Sequence, residues 1–330
     1  MTEITLPSTD DDSGGAKDSR AGLTTHSISP KRQAYLRFRQ HKAAVLSVFV
    51  MFVLVMFVLL TPITARYGVN DPVRDIASGK NQFLSPRSFA WFGTDSIGRD
   101  VYSRILYGIR VSLVIGLVSA FASLIIGAAI GAAAGLYGGI IDDIMMRVTD
   151  IFLAFPFLVA LLVMRNVLGA LSWLKPIVGE QSSIRFLIWL FAIFGWMSVA
   201  RVVRAQVLSL KEREFIEASR AIGGKARHLI LRHMLPNSVG PLLVSLTLGI
   251  VSAIIGEATL ALFGYGPNVG SGGTSLGVLV ADSPTAVRAG YWWLAVFPFV
   301  FLLIITLCVS FIGDGLRDAT DPKSSQGRAS

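Results

Sequence analysis

Apolar residues come in long uncharged runs separated by short charged segments, a pattern that predicts helices crossing a bilayer. Residues 43–65, 111–141, 233–256 and 289–313 contain no Asp, Glu, Lys or Arg. Each exceeds the roughly 20 residues a helix needs to cross about 30 Å of hydrocarbon. Two further spans carry charge. One, over about 145–170, includes Arg147, Asp150 and Arg165; the other, over about 184–204, is charge-free only across 186–200. Arginines near helix ends can extend to the headgroups, so both still count as spans. The expectation is an all-α membrane protein with six transmembrane helices, at about 43–64, 111–137, 145–170, 184–204, 237–263 and 290–313.

The remaining segments fix direction. Residues 1–29 are polar, Ser/Thr/Gly-rich and without apolar periodicity, which predicts a disordered tail. A basic segment over 30–42 leads into the first span, and 323–330 form a second short tail. An even number of spans places both termini on one side. With that side cytoplasmic, 19 Lys and Arg lie inside and 11 outside, seven of the 11 in the long loop 64–110. The positive-inside rule therefore predicts N-in, C-in topology.

Composition agrees: 53% of the 330 residues are hydrophobic and only 15% charged, against about 25% charged in soluble chains. The net charge of +9 reads as basic loops beside anionic lipid, with no nucleic acid partner. A single cysteine, Cys308, excludes an internal disulfide framework. In the second span Gly116, Gly127, Gly131 and Gly135 stand among alanines. Small residues permit close helix approach in lipid, either within one subunit or along a seam with a second.

The loop 205–236 holds what lipid does not explain. Glu212 to Ile222 is amphipathic at helical spacing, with Phe215, Ala218 and Ile222 on the apolar side and Ile216 and Ala221 flanking. Gly223–Gly224 predicts a left-handed cap. A second short helix, about 225–234, is expected to break at Pro236. The geometry is helix, tight turn, helix.

This segment resembles the cytoplasmic signature of binding-protein-dependent importer permeases: Glu-Ala-Ala, three residues, Gly, nine residues, then Ile, any residue, Leu-Pro. Glu217, Ala218, Gly223, Leu235 and Pro236 match at that spacing, while Ser219 replaces the second Ala and His233 the Ile. Independently, residues 93–112 look like the segment before the second span in dipeptide, oligopeptide and nickel permeases. Further matches are Met146-Arg147 with Asp150, Ala154-Phe155-Pro156, Glu257-Ala258 and Gly313 to Asp318 followed by Asp321-Pro322. The polar N-terminal extension and the outer loop after the first span are similar to the C-type permease of the pair. The resemblance implies the transmembrane domain of a type I ABC importer over 43–322 that moves short peptides. It also implies a second homologous permease, two ATP-binding subunits holding ATP and Mg, and an extracytoplasmic substrate-binding protein. Residues Glu217, Ala218, Ser219, Gly223, Leu235 and Pro236 would couple to the ATPase, and 205–236 would form the cytoplasmic coupling loop. An ordinary helix resting on anionic lipid is the plainer alternative.

No catalytic site is expected in the chain itself. Gly224-Lys225 is followed by Ala226 and lacks the upstream glycine of a phosphate loop. The four histidines, His26, His41, His228 and His233, have no metal-ligand spacing. Glu257 lies at membrane depth, as a residue of the pathway or gate, or as a structural hydrogen-bond acceptor. Arg147 stands four residues after Asp143 and three before Asp150, which predicts a local ion-pair latch. Arg165 is expected to snorkel outward. An ion-coupled secondary transporter would need carboxylates near mid-bilayer beside broken helices, and only Glu257 approaches that. A nickel or other small-solute importer of the same family is the nearer alternative.

Overall fold

The computed structural model describes residues 30–73, 82–267 and 274–320. The expected tails, 1–29 and 323–330, lie outside them. Within the described residues the regular structure is helical, with only isolated bridges such as Pro72 to Arg99 in the long loop.

Five helices are long and apolar enough to cross a membrane. They are α2 (Lys42–Leu59), α3 (Val101–Tyr137), α6 (Ile184–Lys211), α8 (Val239–Leu262) and α11 (Trp293–Thr320), preceded by the amphipathic α1 (Pro30–Gln40). The expected third span departs from a straight helix. It is a pair, α4 (Gly139–Leu153) and α5 (Phe157–Ala170), bent by 98°. Counted as one span, the pair makes six. The bend falls at Ala154-Phe155-Pro156, where Pro156 caps α5 in an extended conformation. Proline has no N–H to donate and pushes its predecessor away from helical dihedrals.

The core forms around α3 and α6. Gly127 meets the Trp196 carbonyl and Val199, Gly131 the Ala200 backbone, and Gly135 Val207 and the Arg204 carbonyl. Gly116 faces Ile254 on α8. The small-residue stripe is thus used inside the subunit, where a side chain at Gly131 would collide with backbone. On the far side of α3, Ile105 and Ile109 pack with Val58, Ile250, Ile254 and Ile305, drawing α2, α8 and α11 together. Apolar side chains on the outer faces, among them Phe49, Phe52, Leu117 and Phe121, stay exposed, as bilayer-facing surface requires.

The bundle has two unlike ends. At one, the loop 212–238 joins α6 to α8; residues 205–211 of the expected coupling loop belong to α6. At the other, residues 61–73 and 82–100 fold over the starts of α3 and α11, together with α9 (Leu276–Ala281) and α10 (Ser283–Arg288). Asp95 organises that end: its Oδ2 accepts from Arg99 Nε and Arg104 Nη1, both at 2.6 Å.

Candidate functional site

The loop between α6 and α8 contains a short helix, α7 (Glu214–Ala221). Ile216 is fully buried against Val203, Val207, Leu229 and Met234, and Ser219 lies on the same side. Sequence periodicity grouped Phe215, Ala218 and Ile222 as the apolar face, and they do share a ridge, yet none is covered. Phe215 is 45% exposed, Ile222 89% exposed, and Ala218 also exposed. Glu217 is exposed and forms no ion pair among the described residues. It sits in the first turn, where the helix dipole favours a carboxylate.

The turn after α7 is rigid for reasons readable atom by atom. Gly223 has φ +88°, and its N–H donates to the Arg220 carbonyl at 3.0 Å. The Gly224 N–H donates to the Ser219 carbonyl at 2.9 Å. This pair of bonds is a Schellman closure. Of the two glycines only Gly223 is left-handed. Gly224 is required by space, since a Cβ there would stand 2.5 Å from the Ser219 carbonyl oxygen.

The second arm differs from expectation. The chain does not break at Pro236. It stays helical through Ala226–His228, a π-helical stretch Leu229–Met234, and Leu235–Asn237. A wider turn just before proline relieves the clash its ring would make with the carbonyl four residues back. Leu235 is half-buried and Pro236 exposed. The result is an almost continuous helical connection from the turn into α8.

The expected latch within α4 does not form. Arg204 of α6 instead grips Asp142 through two bonds, Nε to Oδ1 at 2.5 Å and Nη2 to Oδ2 at 2.6 Å. Arg201 reaches Asp150 Oδ1 at 2.5 Å. Asp143 and Arg147 make no ion pair among the described residues. Asp142 and Thr149, seven residues apart, are buried on the side of α4 toward α6, whereas Asp143 and Arg147 are exposed. The planar fork of Arg204 has a geometric advantage that an exposed neighbour pair lacks.

Glu257 is fully buried, with no accessible surface to line a passage in this conformation. Its carboxylate accepts from Ser112 Oγ on α3 at 3.2 Å and from Ser275 Oγ before α9 at 2.5 Å. Gly277 packs directly against it, a Cβ there standing 2.6 Å from Oε1, while Leu276 N–H donates to Ser112 Oγ at 3.1 Å. The residue therefore staples α3, α8 and the α9 segment, the structural alternative raised by its sequence. Ser112, Ser275 and Gly277 went unrecognised because serines and glycines in apolar runs carry no distinctive signal. Arg165 does not simply snorkel: its guanidinium lies 4.1 Å over the Tyr265 ring. Among the described residues no group of His, Cys, Asp and Glu has the arrangement of a metal site.

The family described as binding-protein-dependent transport system inner membrane component matches residues 126–326. The N-terminal TM domain of oligopeptide transport permease C matches 29–86. The dipeptide transport system permease protein DppC of Bacillus subtilis is 33% identical, over 90% of this chain and 87% of its own length. OppC of Escherichia coli K12, an oligopeptide transport system permease protein, is 37% identical, over 88% and 91%. A chain of the inward-facing MetNI methionine ABC transporter shares the fold at TM-score 0.52 and 21% identity, covering 66% of this chain and 96% of that one. A bundle with a stiffened loop between its fourth and fifth spans, matched along most of its length, belongs to the binding-protein-dependent transport system inner membrane components, among the permeases of the OppC and DppC type.

Proposed function

We propose that this chain is the membrane-spanning subunit of an ATP-driven importer of short peptides, and that it hydrolyses no nucleotide itself. Both termini and the α6–α8 loop would be cytoplasmic. A homologous permease would complete the pathway, two separate ATPase subunits would dock below, and an extracytoplasmic binding protein would deliver substrate. The relatives named for dipeptide and oligopeptide transport support the substrate class.

The observation that carries the coupling role is the uncovered ridge of Phe215, Ala218 and Ile222 on a helix whose ends are both fixed. Its rigidity suits a peg that passes ATPase motion to the spans. A helix merely resting on anionic lipid makes the opposite demand on Glu217. Removing an acidic residue strengthens lipid binding, since each charge near such a surface is worth about 1 kcal/mol. In an ATPase cleft, losing a charged hydrogen bond costs roughly 1.5–3 kcal/mol. Glu217→Ala is therefore expected to lower substrate-stimulated ATP hydrolysis in reconstituted complexes, and Glu212→Ala, just outside α7, to do much less. Equal, wild-type hydrolysis in both variants would overturn the coupling assignment.

A further inference from the structure

The chain enters its first span through a helix that is basic on the side it leaves open. Five cations, Lys31, Arg32, Arg37, Arg39 and Lys42, fall within α1 and the first residue of α2, and no Asp or Glu occurs between Asp18 and Asp71. Arg32, Tyr35, Leu36 and Arg39 stand at i, i+3, i+4 and i+7, so they share one face of α1. All four are exposed, Tyr35 by 60% and Leu36 by 41%. The other side is covered: Ala34 and Phe38 are half-buried, and a Cβ on Gly315 of α11 would stand 3.0 Å from the Phe38 ring. The Arg39 guanidinium rests over the Tyr35 ring at 5.9 Å, and neither it nor that of Arg32 has an ion pair or a hydrogen bond among the described residues. A guanidinium held by its flat face keeps its N–H groups for other oxygens.

The position of α1 decides what lies against that face. Only His41 separates it from α2, whose exposed apolar surface begins at Val45 and Leu46 and continues to Phe49. Hydrocarbon therefore starts within about one turn of Lys42, and α1 lies at the headgroup level of that leaflet. Tyr and Leu interleaved with Arg suit this layer, where rings and aliphatic stems sink toward acyl chains and guanidiniums meet phosphate. A cluster of about four to eight Lys and Arg beside a span attracts anionic lipid. The helix packed against α1 does not cancel the charge: on α11, Asp314 and Asp318 stand with Arg317, which leaves two carboxylates against six cations. The contrast is α7, which carries Glu214 and Glu217 in its first turn, whereas α1 has no acid at all.

We infer that α1 is a strap that binds anionic phospholipid headgroups through Arg32 and Arg39 and, so held, fixes the ends of two spans. The inference rests on the crossing of the bilayer by α2 and, for the choice of leaflet, on the cytoplasmic N-terminus proposed above. The mechanical link is short. Phe38 of α1 and Ala44 of α2 press on the same Gly315 of α11. His41 also serves both sides: its Nδ1 accepts from the Ala44 N–H at 3.1 Å, capping α2, and its Nε2 faces Asp318 of α11 at 3.8 Å. Lipid that holds α1 thus holds the start of α2 against the end of α11.

The test uses the intact complex, permease pair with ATPases, in phosphatidylcholine nanodiscs carrying a trace of phosphatidylglycerol with a photoreactive group near its headgroup. Labelled residues are mapped by peptide mass, and a phosphatidylcholine of the same design is the comparison. In the wild type, phosphatidylglycerol should label residues 30–42 well above phosphatidylcholine. Arg32→Gln with Arg39→Gln should cut that preference about tenfold or more, as the loss of two lipid-facing charges implies. Arg32→Lys with Arg39→Lys should keep most of it. Raising the phosphatidylglycerol fraction should also raise the thermal unfolding midpoint of the wild-type complex more than that of the Gln variant. Equal labelling by the two lipids overturns the strap, as does an undiminished preference or an equal rise in midpoint in the Gln variant. Labelling present in the permease pair alone and lost in the intact complex overturns it in favour of an ATPase contact. None of these readouts requires ATP or peptide. A complex without the lipid preference whose ATP hydrolysis peptide delivery still stimulates loses the strap and keeps the proposed function; one with the preference and no such stimulation does the reverse.

Discussion

Two glycines show how differently the same substitution can act at single residues. At Gly223 a Cβ would meet nothing within 4 Å, so the penalty is conformational alone. A side chain held at φ +88° is strained by about 1–2 kcal/mol. At Gly277 the backbone is ordinary, but a Cβ would stand 2.6 Å from both Glu257 Oε1 and the Ala258 Cα. Gly223→Val should leave membrane insertion and thermal stability near wild type while weakening ATPase co-purification. Gly277→Ala should lower the thermal unfolding midpoint of the purified subunit, because Glu257 must give way and its two serine donors lose their acceptor. The reverse ranking in a melting assay would contradict both accounts. Sequence revealed Gly223 through its distance from Glu217. It could not reveal Gly277, whose need arises from a residue twenty positions away.

Helices were easier to read than their surroundings. Uncharged runs located α2, α3, α8 and α11 because hydrocarbon tolerates few charges, and that constraint acts on every residue of a span. Periodicity put Phe215, Ala218 and Ile222 on one ridge, but a periodic pattern says nothing about whether a neighbour is present to cover them. The latch failed for a related reason: sequence displays the i, i+4 neighbours of Arg147 and hides Arg204, which reaches Asp142 from another helix. Ala154-Phe155-Pro156 was legible as a motif, though the 98° bend it creates depends on how α4 and α5 separately find α6. For the α3–α6 pair, Gly131→Ala should destabilise the isolated subunit, since the added methyl meets the Ala200 backbone, which has little room to retreat. Misfit of this kind usually costs about 1–3 kcal/mol. A variant that melts like wild type as a monomer and fails only in pairing with its partner permease would return the stripe to an intersubunit seam.

At the scale of the molecule, α8 joins the two ends. Its 24 residues extend ~36 Å, from the helical arm behind Gly223 to the staple at Glu257. Because that arm runs on to Asn237 and α8 resumes at Val239, the connection has little slack. Any free energy that α8 carries inward it must also carry outward, since coupling between two binding events is reciprocal. If seating the binding protein tightens the ATPase on α7 by some factor, seating the ATPase must tighten the binding protein by that same factor. Permease pairs stripped of their ATPases should accordingly release the binding protein faster than intact complexes do, as surface plasmon resonance on immobilised nanodiscs can measure. A release rate indifferent to the ATPases would mean that the two ends are energetically independent. Under the proposed function, the nearly continuous helix behind Pro236 would thus make the membrane subunit an account kept in both directions, with the ATPases able to set how long the binding protein stays attached.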